Sequence, residues 1–208
     1  MFITISRQYG AGGSEVARRV AEALGWRVVD NELIEQVAAR AGLAPEDIAR
    51  MEERVPTFVE RLGRTLAAAT PELFAPTSGG GSIAPLEEAD LVRITEAVVA
   101  EIAERGEVVL VGRAAPAVLA MRTDALHVKL VAPKPYRIAV AAARLQVPPA
   151  KAAEIVEETD KMRARYNREY YHRDWCDPAN YHMVLNTEAL GLDGAADVIV
   201  RRARALGW

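Results

Sequence analysis

Phe2 to Leu24 reads FITISRQYGAGGSEVARRVAEAL. Ile3, Thr4 and Ile5 form a short apolar, β-branched run that stops at Ser6, the pattern of a buried strand. Three glycines follow: Gly10, Gly12 and Gly13. Beyond them Val16, Ala17, Val20, Ala21 and Leu24 recur at i, i+1, i+4, i+5 and i+8, one face of a helix. A strand, a glycine loop and a helix N-terminus in that order can hold phosphate. The first helical turn has N–H groups without intrahelical partners and a partial positive charge, and glycines let the backbone close around an anion. Ser14 falls at the N-cap or in the first turn, where its hydroxyl can bond backbone or a metal.

The loop departs from the phosphate-loop pattern G-x-x-x-x-G-K-[ST]. On that spacing Gly12 and Ser14 match, but the first glycine is Arg7 and the lysine is Gly13. The backbone from Gly10 through Ala11, Gly12 and Gly13 to Ser14 can still cradle an anion. It lacks the lysine that reaches the outer phosphates. Taken alone, the loop is equally compatible with a tight strand-to-helix turn that binds nothing.

A chain of 208 residues, half of them apolar, is expected to form one domain with a real core. The formal net charge of −3 argues against a general nucleic-acid binder. Cys176 is the only cysteine, which excludes an intrachain disulfide and a multi-cysteine zinc site. No charged-then-apolar leader and no run of 18 apolar residues is present, so neither secretion nor a membrane span is expected and the chain reads as cytoplasmic.

Downstream, Trp26 to Asp30 reads as a second strand ending on an acid, and Asn31 opens a helix through Ala41. Residues 42–86 break the rhythm with short helical patterns and the run Ser78-Gly79-Gly80-Gly81-Ser82, a helical insertion with a mobile loop. A long amphipathic helix then leads to Glu107-Val108-Val109-Leu110-Val111, a continuously apolar strand that ends at Gly112-Arg113. Further strands are expected at Leu126–Val131 and Tyr181–Leu185, with helices from Pro135, from Pro148 and over Leu192–Leu206. Five strands alternating with helices imply a three-layer α/β fold with a five-stranded parallel sheet. The polar residues then cluster at the carboxyl ends of the strands, where such folds bind ligands.

With these pieces assembled, the chain resembles the cytidylate kinase-like family, a branch of the P-loop nucleoside monophosphate kinases, over nearly its full length. ITISRQYGAGGSEVARRVAEALG resembles the family's opening, VVDNELIEQVA its second strand and helix, and VVLVGRAAPAVL its third strand. HVKLVAPKPYRI, ETDKMRARYNREYY and DWCDPANYHMVLNT resemble its fourth strand, lid and last strand. The resemblance implies a P-loop kinase fold with a helical acceptor-binding insertion at about 42–86 and a lid at about 146–176. It implies transfer of the ATP γ-phosphoryl group to CMP or dCMP, with Mg2+ as cofactor. On that basis Gly10, Ala11, Gly12, Gly13 and Ser14 would hold the ATP phosphates, with Ser14 also on the metal. Arg113 and Arg137 would serve the acceptor, and Asp30 the acceptor or a metal-bound water. Arg163 and Arg165 would close on the transferring group, oriented by Asp160, and Arg7 would stand in for the missing lysine. Ala114 replaces an aspartate expected beside the acceptor ribose. Two other readings remain open: a nucleotide-binding regulatory protein of the same fold, and a kinase for another small acceptor. A plainer reading of Arg163, Arg165 and Arg168, the solvated face of a long helix, also stands.

Overall fold

The computed structural model describes residues 1–30 and 88–208; the expected insertion at 42–86 and the helix after Asp30 lie outside the described residues. Strand β1 (Phe2–Arg7) leads through the glycine loop to helix α1 (Gly13–Leu24) and strand β2 (Arg27–Val29). Helix α2 (Glu88–Arg105), strand β3 (Val108–Val111) and a single helical turn, α3 (Ala115–Val118), come next. Strand β4 (Ala125–Val131) precedes helices α4 (Lys134–Leu145) and α5 (Pro149–Tyr171). Strand β5 (Met183–Asn186) and helix α6 (Thr187–Ala205) close the chain. The strands form one sheet in the order β2-β3-β1-β4-β5, with every pairing parallel.

Alternation along β1 divides the core. Ile3 and Ile5 face one side with Val109, Val111, Leu126, Val128 and Leu130, packed under Val16 and Val20 of α1 and Ile199 of α6. Phe2 faces the other side with Val108 and Leu110, against Val98, Val99 and Ile102 of α2. β3 is buried at all four positions, as a strand covered on both faces must be. Full burial of each such aliphatic side chain contributes about 1.5–3 kcal/mol, so the sheet's interior fixes the carboxyl ends of β1 and β3 side by side.

The second face changes character along its length. The register pairs Phe2 with Ala125, Thr4 with His127 and Ser6 with Lys129, so it runs from apolar to polar toward the carboxyl ends. Thr4 Oγ1 and His127 Nδ1 are 2.8 Å apart. Burial pushes His127 down to about 4, so the ring is neutral near pH 7.

Some boundaries differ from the sequence-based expectation for local reasons. α6 begins at Thr187 because Asn186 caps it, accepting from the N–H groups of Glu188 and Ala189. Gly191 (φ 69, ψ 166) interrupts it, and the helix expected from Leu192 is the part beyond that break. The stretch expected to act as a lid is a continuous helix over Pro149–Tyr171. No helix among the described residues is long and apolar enough to cross a membrane.

Candidate active site

The glycine loop leaves β1 at Arg7 and is tied back to the sheet. Gln8 donates its N–H to the Leu130 carbonyl at 3.0 Å, and its side-chain Oε1 accepts from Ala132 N–H at 3.1 Å. Gly10 has φ +83, and a Cβ there would lie 2.6 Å from the Arg137 carbonyl oxygen, so only glycine fits the turn. Gly12, also left-handed at φ 77, is the N-cap of α1 and makes no side-chain cap bond. Ser14 therefore takes the first-turn position rather than the cap. Its hydroxyl donates to Asp30 Oδ2 at 2.6 Å, joining the start of α1 to the end of β2.

Gly13 and Gly112 are explained by one side chain. A Cβ on Gly13 would stand 2.7 Å from Arg7 Cγ and 3.0 Å from Arg7 Cβ. A Cβ on Gly112 would fall 2.9 Å from Arg7 Cζ and still closer to Nη1. The stem of Arg7 thus crosses over the position where the loop pattern has lysine, and its guanidinium rests on the backbone after β3. The turn that receives it is strained: Gly112 (φ 80) is followed by Arg113 (φ 54) and Ala114 (φ 48), all left-handed. Two non-glycine residues in that region cost of order 1–3 kcal/mol each, the kind of cost found at functional sites. The result places Arg113, 7% exposed, in the same pocket wall as Arg7.

Asp160 of α5 and Arg137 of α4 meet beneath the loop. Asp160 Oδ1 accepts from the Tyr9 N–H at 2.8 Å, and Oδ2 accepts from Arg137 Nη1 at 2.6 Å. Arg137 also donates to the carbonyls of Ala132 (2.8 Å) and Tyr9 (3.2 Å). Both side chains are largely buried, at 8% and 16% exposure. Arg137, expected on the acceptor, here meets Asp160 and two carbonyls under the loop, and Asp160, expected beside the lid arginines, lies 4.0 Å from Arg163 while also bracing the glycine loop. Asp160→Ala would leave a buried guanidinium without its carboxylate. It is expected to cost about 3–5 kcal/mol in chemical denaturation, with Asp160→Asn losing less because it keeps an acceptor for Tyr9 N–H.

Arg163 and Arg165 part company. Arg163 points inward, donates to the Arg7 carbonyl at 2.8 Å and is 4.0 Å from Asp160. Arg165 is half exposed and donates to Glu169 Oε1 at 2.6 Å on the outer face of α5. Residues two apart on a continuous helix diverge by about 200°, so both cannot face one site. Arg165 is not brought to the others in this structure.

Two cavities meet at this centre. An open cleft of about 630 Å³ runs along the glycine loop, lined by Gly10, Gly12, Gly13, Ser14 and Asp30. A smaller inner pocket, about 30 Å³, lies at the ends of β1 and β3, lined by Ser6, Gly112, Arg113, Tyr166, Asn167 and Trp175 among others. Arg7 and Arg163 line both. Among the described residues, three guanidinium side chains and no carboxylate wall the inner pocket, which suits an oxyanion. Sequence reasoning passed over Lys129 and read Trp175 as an aromatic that packs the lid or stacks on a base. The available signal was a lysine inside a strand otherwise buried from Ala125 to Leu130.

The family model described as the cytidylate kinase-like family matches residues 2–189. Among solved structures, an uncharacterized protein from Eubacterium ventriosum is similar at TM-score 0.68 and 20% identity, covering 97% of each chain. A shikimate kinase from Bacteroides thetaiotaomicron is similar at TM-score 0.54 and 15% identity, over 99% of this chain and 97% of the other. At these identities the likeness shows the fold, that of the P-loop kinases. No curated protein matches the sequence.

Proposed function

We propose that this chain, which belongs to the cytidylate kinase-like family, is a phosphotransferase that moves the ATP γ-phosphoryl group to CMP or dCMP. The observation that supports this reading is the meeting of the two cavities at Arg7 and Arg163. A donor phosphate chain laid in the glycine-loop cleft and an acceptor phosphate in the inner pocket would have these two cations between them. Phosphoryl transfer is mainly positioning and charge neutralisation, so cations at that junction are what the reaction needs.

The residues present fit a magnesium ion. Ser14 and Asp30 offer a hydroxyl and a carboxylate oxygen 2.6 Å apart at the edge of the cleft. Mg2+ prefers such hard oxygen donors and keeps several waters and substrate phosphate oxygens. Among the described residues no group of three or more His, Cys, Asp or Glu is placed to hold a metal. Bound at Ser14 and Asp30, the ion would neutralise charge on the ATP phosphates. The chain's own contribution is the rest. Backbone N–H groups of the Gly10–Ser14 loop other than Ala11, which donates to the Gln8 carbonyl, orient the donor, Arg113 holds the acceptor phosphate, and Arg7 and Arg163 stabilise charge on the group in transit. Asp160 and Arg137 keep the loop in register with α5.

Coupled ADP release with ATP, Mg2+ and each of CMP, dCMP, UMP and AMP tests the reading. Turnover is expected to be fastest with the cytidine nucleotides, and Arg113→Ala is expected to raise the acceptor KM by at least about tenfold, the loss of one charge-assisted contact. ATP binding without acceptor-dependent ADP would instead support a regulatory protein of this fold. Turnover confined to a non-nucleotide acceptor would support a kinase for another substrate.

A further inference from the structure

A buried ammonium lies behind the inner pocket with no task in the transfer described above. Lys129 is 3% exposed on β4, paired in register with Ser6 of β1. Its Nζ lies 3.6 Å from the centroid of the Trp175 ring and 5.0 Å from that of Tyr181. It donates to the main-chain carbonyl of Trp175. The same carbonyl accepts from the Tyr181 hydroxyl at 2.9 Å, and the Trp175 indole N–H donates to Ser6 Oγ at 2.9 Å. Ser6, Trp175 and Tyr181 all line the inner pocket. The segment between α5 and β5 that walls this pocket is thus tied to the sheet at Trp175 twice, by the Lys129 ammonium and by the indole bond to Ser6.

A lysine is a costly choice for packing alone. Burial disfavours its charge, and an apolar side chain would fill the space without that penalty. What a lysine adds is attraction to two aromatic faces and a directed bond to a carbonyl. We propose that Lys129 is a positioning residue of the acceptor side: its ammonium, clasped by Trp175 and Tyr181, fixes the wall against which the acceptor phosphate docks. The clasp stands on the geometry; its effect on the acceptor rests on the kinase reading above.

The clasp has a signature in pH. Burial pushes Lys129 down to about 8. The titratable and charged groups facing it are Cys176 and Asp174 in the connecting segment and Asp160 and Arg163 of α5; Tyr181 also packs against it. Burial is the largest influence; Cys176, Asp160 and Asp174 act the other way, and Arg163 adds to the effect of burial. As pH rises from 7 to 9 the ammonium loses its proton and the ring attraction with it, so the wall loosens on the alkaline side.

The test uses the full chain and two readouts. Tryptophan fluorescence of the native chain should show a step with a midpoint near pH 8. The step should vanish in Trp175→Phe, although Trp26 and Trp208 remain, and in Lys129→Met. In turnover, Lys129→Met should raise the acceptor KM by about tenfold while the ATP KM stays within about twofold, and Lys129→Arg should recover most of the loss. No step in the native chain, a step that survives Trp175→Phe, or an equal rise in both KM values would overturn the proposal. Should Lys129→Met fail to fold, the native chain and Trp175→Phe decide it by fluorescence. Should no nucleotide support turnover, the kinase reading fails, and the fluorescence titration still decides the clasp.

Discussion

Arg7→Ala is expected to lower kcat by about 10³-fold while the KM for ATP changes by less than about threefold. Cations that act on the transferring phosphoryl group account for 10³–10⁵ in rate in comparable reactions, because they bind the transition state better than the ground state. Arg7 is placed for that role. Its stem passes over Gly13 and its guanidinium rests against Gly112, at the junction of the cleft and the inner pocket. The donor's anchorage would survive, since the glycine-loop backbone is tied to the sheet through Gln8 and to α5 through Asp160. Arg7→Lys should fall between, keeping a charge but not the planar fork. Circular dichroism of each variant separates loss of chemistry from loss of fold. A kcat within a few-fold of the native value in folded Arg7→Ala would remove Arg7 from the mechanism.

Gly13→Lys supplies the residue that the phosphate-loop pattern has at this position, and it is nonetheless expected to impair the protein. The new Cβ would stand 2.7 Å from Arg7 Cγ, a stem atom rather than a mobile tip. The stem must move, and the guanidinium is carried away from the junction. A kcat lower by about 10²-fold is expected, with a stability loss of about 1–3 kcal/mol from overpacking. The sign is informative. Gly13 opens α1, and lysine has the better helix propensity by up to about 1 kcal/mol. If Arg7 did not occupy that space, the substitution would stabilise the helix and the denaturation midpoint would rise.

Much of this site is visible in Phe2–Leu24 alone. The alternation of Ile3 and Ile5, the glycines and the 3.6-residue spacing of Val16 and Val20 give strand, loop and helix in the right places. The bond between Ser14 and Asp30 joins residues from different elements, and a sequence reading could name both without pairing them. Arg163 and Arg165 fit a motif as neighbours, yet helix geometry sends them to opposite faces. Arg137 was expected to serve the acceptor, and only the folded chain shows that its donors go to Asp160 and to two carbonyls under the loop. Left-handed backbone at Arg113 and Ala114 has no sequence sign, because neither residue type prefers it. The glycines at 13 and 112 did carry a signal that only the folded chain decodes: both make room for the same arginine.

On the kinase reading Arg7 takes, in space and in charge, the place of the absent loop lysine. The most direct test exchanges the two residues. Arg7→Gly combined with Gly13→Lys turns the loop into G-Q-Y-G-A-G-K-S, which satisfies the phosphate-loop pattern in full. ADP release with ATP, Mg2+ and CMP should be lost in each single variant and regained to within about tenfold of the native rate in the double variant, a coupling that only mutually dependent positions show. A double variant as inactive as the worse single one, or single variants that both keep native turnover, would contradict the claim.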